Sequence, residues 1–239
     1  SVHIKSPFVG GKDIFLSASS IELDLTGVKY DNVTLVCSAN AFRIICKKYF
    51  LHISAMKKII LASVLGGVVL FIWWFLSWAV LDLHGGTMRG LSNEDAVREF
   101  MKSNFPQSSV YIIPKQMGGG ESAMKKYKEG PIATVVYQAE GADPAMPSQM
   151  AIGFLFNVFY AWIAAWFLSR STAFAESYLS RVTFVGMLGI FTAFFQHLTN
   201  WNWMAYPGDY TIVMIADNVV SMLLAGLVIA VFVKPETAS

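Results

Sequence analysis

Residues 59–81 read IILASVLGGVVLFIWWFLSWAVL, an unbroken apolar run with no charged side chain. A helix rises about 1.5 Å per residue and the hydrocarbon core of a bilayer is roughly 30 Å thick, so about 20 such residues cross it. A core helix of a soluble domain would carry a polar stripe; this run is apolar on every face. Three further stretches share its character: 150–168, 182–199 and 211–233. The second carries no charge, the third has His197 near one end, and the fourth holds a single carboxylate, Asp217. The run at 59–81 is longer than a secretory signal core of roughly 7–15 residues, and no small-x-small cleavage site follows it before Asp82. It reads as an uncleaved anchor.

Composition supports a membrane. Of 239 residues, 55% are hydrophobic and only 14% charged, against roughly 25% charged in soluble domains. A net charge of +2 and two cysteines exclude a nucleic-acid binder and a disulfide scaffold, and the hydrophobicity excludes a disordered chain.

Basic residues that flank spans mark the cytoplasmic side. Lys57 and Lys58 precede span one, Arg170 and Arg181 bracket the connection between spans two and three, and Lys234 follows span four. If the spans alternate, all five fall on one side. The expected fold is an all-α membrane protein, a four-transmembrane-helix bundle with a small α/β extracytoplasmic insertion between helices one and two. Helix one takes residues 56–81, the insertion 82–149, and helices two to four 150–239, with both termini cytoplasmic.

Residues 1–55 differ in character. Their apolar residues show no sustained period and they hold both cysteines, Cys37 and Cys46, whereas Met56-Lys57-Lys58-Ile59 has the form of a bacterial start. The expectation is an upstream or poorly folded extension. The alternative is a small β-rich segment with strands at Val33 to Cys37 and Phe42 to Cys46. Neither cysteine sits in a CxxC or metal-ligand context, so both are ordinary thiols.

In the insertion, Ser92-Asn93-Glu94-Asp95 predicts a helix start with Ser92 as its cap, and Pro106 a stop. Two β-rich runs, Ser109 to Ile113 and Ile132 to Gln138, predict a hairpin. Gly118-Gly119-Gly120 lacks the GxxxxGK[ST] spacing of a phosphate loop and is read as a flexible connection. The Lys125-Lys126-Tyr127-Lys128 cluster reads as a solvated surface offset by Glu121 and Glu129. Pro144 and Pro147 stiffen the lead into span two.

Met56-Lys57-Lys58, Gly66-Gly67, Phe71-Ile72-Trp73 and Ser77-Trp78, followed by Pro106-Gln107-Ser108 and Tyr111-Ile112-Ile113-Pro114, resemble a group of uncharacterised small bacterial inner-membrane proteins with four spans. The resemblance covers residues 56–239. It implies a multi-pass inner-membrane location, brings no catalytic signature, and carries over no site residues.

Polar side chains inside a bilayer are costly and need a partner or a function. Those here gather in the outer half: Asp217 and Asn218 in span four, Gln196, His197 and Asn200 near the end of span three, Asn157 in span two, and Asp82 and His84 after span one. The short turn between spans three and four makes them antiparallel neighbours, which predicts that His197 approaches Asp217. Three roles are open. The cluster can bond helix to helix, in a non-enzymatic accessory, scaffold or sensor component. It can line a small-solute, ion or proton pathway with Asp217 titrating against His197. It can hold a membrane-embedded metal or redox site through His84, His197 and Asp217, although no HExxH, CxxC or paired-His spacing supports one. Small residues one turn apart, such as Ala62 with Gly66, Ser63 with Gly67, Gly189 with Ala193 and Gly226 with Ala230, predict close helix packing. Trp78, Trp201, Trp203, Tyr206 and Tyr210 predict an aromatic belt at the headgroups. No GxSxG elbow or GxGxxG fingerprint is present. No catalytic residue, metal or cofactor is expected. The expected partner is the lipid bilayer, with a second copy or another membrane protein open, and no nucleic acid.

Overall fold

From Asn32 to Leu65 the sequence contains neither glycine nor proline, and the chain is helical throughout: α1 spans Asn32–Phe75. Both stretches that the alternative reading makes strands, Val33 to Cys37 and Phe42 to Cys46, lie inside it. Their β-branched and aromatic residues favour a strand pair only if a turn separates them. Ser38-Ala39-Asn40-Ala41 supplies no breaker, so the helix continues.

The computed structural model describes the backbone of residues 2–4, 14–16, 32–115 and 119–235, and side chains for residues 53–115 and 119–235. The side chains of Cys37 and Cys46 therefore lie outside the described ones, as does Gly118 of the glycine triplet. The chain divides into two units, Ser1–His52 and Ile53–Ser239. In the first, β1 (Val2–Ile4) and β2 (Ile14–Leu16) pair antiparallel, with His3 opposite Phe15.

The second unit is mostly helical and holds four helices long and apolar enough to cross a membrane: Ile53–Val80, Pro147–Arg170, Tyr178–Trp203 and Gly208–Phe232. The first is the end of α1 continued by a π turn, Leu76–Val80. We label Glu94–Asn104 α2, Gly120–Glu129 α3 and Pro147–Arg170 α4. Tyr178–Ala193 is α5, extended through a second π turn, Phe194–Leu198, into α6 (Thr199–Trp203). The last helix, α7, is Gly208–Phe232. At most 33% of any of these apolar windows is buried within the chain. Most of their surface is therefore left for another apolar medium, and Leu155, Phe191, Phe195 and Ile212 are among the exposed side chains.

Where helices do meet, the small residues allow it. A Cβ on Gly67 would stand 2.7 Å from Val158 Cα of α4, and one on Gly189 of α5 would stand 2.6 Å from Met222 Cβ of α7. Ala62, Ala161, Ala165 and Ile229 are fully buried in the core so formed. With lipid as apolar as leucine, this attraction is dispersion between closely fitted surfaces. Gly67→Val is expected to destabilise the protein by about 1–3 kcal/mol, read as a lower thermal midpoint in detergent. An unchanged midpoint would mean that α1 and α4 do not approach so closely.

Between the first two apolar helices lies a small α/β segment. The cap of α2 is Asn93 rather than Ser92: its side chain accepts the Ala96 N–H at 3.0 Å, and Glu94 and Asp95 occupy the first turn. Ser92 is one residue too early to reach the free N–H groups. The helix stops at Asn104, before Pro106. Strands β3 (Ser109–Ile113) and β4 (Ala133–Tyr137) pair antiparallel, Val110 opposite Val136. Phe105 is buried against Tyr111 and Tyr137, with ring centroids at 4.3 and 5.1 Å. The lysine cluster expected as open surface lies on α3, which starts at Gly120 with φ +62°.

Candidate functional site

Asp217 lies roughly 13 Å along α7 from its start, at about 1.5 Å per residue, and its side chain is 1% exposed. Its Oδ1 accepts the Trp73 indole N–H at 2.6 Å, a bond from α1 to α7. Its Oδ2 is 3.3 Å from His84 Nε2, and the His84 side chain is also 1% exposed. That separation is within ion-pair reach, yet the ring nitrogen is out of line, so neither Nε2 nor Oδ2 has a hydrogen bond. The contact is one of charge, available to the protonated ring.

His84 lies beyond the end of the first apolar helix, and the local chain brings it back. At Leu76–Val80 the helix widens into the π turn, where the Leu81 N–H bonds to Leu76 O at 2.8 Å. The Leu83 N–H then reaches back to Ser77 O at 3.1 Å, and Asp82 takes φ 47°, a left-handed conformation that aspartate tolerates. The Gly85 N–H bonds to Asp82 O at 3.2 Å, and a side chain on Gly85 would run into the Asp82 carboxylate. The Thr87 hydroxyl and N–H both bond to His84 O. So folded, the imidazole lies flat on the Trp78 indole, with centroids 3.9 Å apart and planes 7° from parallel.

His197 is not the partner of Asp217. It is buried in the π turn of the third apolar helix, while both contacts of Asp217 go to α1 and the turn that follows it. Helix geometry gives the reason. Successive residues are about 100° apart around the axis, so Asp217 faces α1 while Asn218 meets α5, where the Thr192 hydroxyl donates to Asn218 Oδ1 at 3.4 Å.

The remaining expected residues do not join this pair. Asn157 is buried in α4, Gln196 is exposed, Asn200 is half-buried and Asp82 exposed. Trp201, Trp203 and Tyr206 are exposed, Tyr210 is half-buried, and Tyr206 and Tyr210 meet edge to face at 5.8 Å. Of the three side chains considered for a metal, only His84 and Asp217 are in contact. Among the described residues no three His, Cys, Asp or Glu side chains converge on a common point.

No family model, curated protein or solved structure matches the chain.

Two participants escape a reading of the sequence. Trp73 reads as bulk apolar side chain, and Trp78 reads as belt rather than as the plate under His84. Their signal is the short spacing of Trp73, near the end of α1, and Trp78, in the π turn that follows it, just before the turn that carries His84. Chemically, the arrangement stores a carboxylate and an imidazole out of water, with an indole donor fixing the carboxylate.

Proposed function

We propose that the chain is a non-enzymatic accessory, scaffold or sensor component of a bacterial inner membrane. In this reading its four apolar helices form a bundle, both termini are cytoplasmic and residues 82–149 lie outside. The observation that carries it is the closure of Asp217, whose carboxylate is taken up by Trp73 and His84 rather than open to water. A carboxylate so placed is helix-to-helix bonding.

The contacts support the alternating topology. Arg181, at the start of α5, donates to Ala230 O near the end of α7 at 3.1 Å, so these two ends belong to one side, the side marked by Arg170 and Lys234. Trp73, near the end of α1, meets Asp217 in the first half of α7, which gives the opposite side. The partners of this reading are lipid and either a second copy or another membrane protein. The likeness to small four-span bacterial proteins points the same way.

Accessibility tests it. With Cys37 and Cys46 replaced by serine, Asp217→Cys and Ser221→Cys are exposed in turn to a membrane-impermeant thiol reagent. Ser221 lies one turn further in and is buried, so that variant leaves the carboxylate intact. Neither position is expected to react in the folded protein. Rapid reaction at 221 from outside would overturn the reading in favour of a hydrated pathway for a proton, ion or small solute.

A further inference from the structure

We propose that residues 82–87 form a latch that couples the α2–β4 segment to α7, with His84 as its bolt and Asp217 as its keeper. This deepens the sensor reading above and rests on it for the role of the outer segment.

Three observations meet at this turn. First, it closes over polar atoms that the fold leaves without hydrogen bonds: Ser77 Oγ, both ring nitrogens of His84 and Asp217 Oδ2. The closed form gains the stack on Trp78 and the charge contact with Asp217, whereas an open form would gain the hydration of all four atoms. Opposing terms of this kind make two states close in free energy, as a switching element requires. A turn sealed by hydrocarbon alone would have no such second state.

Second, the chain on both sides of His84 is built to hinge. The π turn precedes it, Asp82 has φ 47°, and Gly85, Gly86 and Gly90 follow, with open space around the last two. Third, only six residues, Met88 to Asn93, separate the turn from α2, the first helix of the outer segment. A displacement of that segment reaches His84 through only a few residues, and withdrawing His84 removes the charge partner of a carboxylate on α7. The same two elements that lock the spans thus report on the segment between them.

The test uses the full chain, detergent-solubilised, with Cys37 and Cys46 replaced by serine and Ser77→Cys as reporter. Ser77 Oγ makes no hydrogen bond, so this substitution breaks none. Ala165→Cys, in the fully buried core, is the control. With the latch intact both positions should react slowly with a maleimide. Either His84→Ala, which removes the bolt, or Gly85→Ala, whose methyl group displaces Asp82, should raise the rate at position 77 by about tenfold or more while leaving position 165 unchanged. Fast reaction at 77 with the latch intact, no acceleration in either variant, or equal acceleration at 165 in both variants would each overturn the proposal. Micelles have no sides, so this result does not depend on orientation. A wrong topology would instead appear as labelling from the wrong face of sealed vesicles.

Discussion

Asp217→Ala is expected to lower folding stability by about 3 kcal/mol, the range for breaking a buried charge pair rather than an ordinary interhelical hydrogen bond of about 1 kcal/mol. The larger figure follows from what is left behind. Alanine strands the Trp73 N–H, now without an acceptor, and leaves His84 buried without the carboxylate that stands 3.3 Å from its Nε2. Neither can reach water without moving a helix or opening the turn. Asp217→Asn separates the two losses, because its amide oxygen can still accept from Trp73 while the charge that attracts His84 is gone. Its cost should therefore fall below that of alanine. A double-mutant cycle between His84→Ala and Asp217→Asn, read from denaturant unfolding in micelles, is expected to show a coupling of about 1 kcal/mol or more. Additivity within about 0.5 kcal/mol would show that the 3.3 Å contact carries no energy.

The apolar helices were legible because length and composition decide them, and no tertiary detail can hide a run such as residues 59–81. The pairing of their polar groups was less so. Proximity in sequence suggested His197 for Asp217, since one short turn joins their helices. Facing is set by rotation about the axis, however, and one residue of rotation hands α5 to Asn218 and α1 to Asp217. His84 was visible as a polar residue at the end of a span, but its return depends on a π turn and a left-handed Asp82 that no hydrophobic pattern encodes. The same limit explains α3. Its Lys125, Lys126 and Lys128 favour a helix as much as a solvated loop, and Ala123 is its only buried side chain, so there was no apolar stripe to reveal it. The alternative reading of strands at 33–37 and 42–46 fails in the opposite sense, local β preference yielding to a sequence with nothing to break a helix.

Arg181→Ala is expected to cost about 2–4 kcal/mol, mostly through carbonyls left unpaired. Among the described residues this buried guanidinium has no acid beside it. It donates from Nε to Ala230 O and from a terminal nitrogen to Ala175 O, each at 3.1 Å, while the Tyr178 hydroxyl donates to Leu227 O at 2.7 Å. The first bond satisfies a carbonyl in the last turn of α7, where the aligned peptide dipoles place partial negative charge and no further turn supplies donors, whereas the third adds a second bond to a carbonyl one turn earlier. A cation there is favourable without a carboxylate, which explains how a charge is held at the mouth of an apolar helix pair. Geometry then distinguishes Arg181→Lys from Arg181→Ala. An ammonium retains the charge and the dipole attraction but cannot span two carbonyls in fixed directions, so lysine should recover about half of the loss. Full recovery by lysine would show that charge alone matters. No recovery would show that the planar fork is what seals α5 to α7. Tyr178→Phe, which removes only the third bond, should cost about 1 kcal/mol by the same measurement.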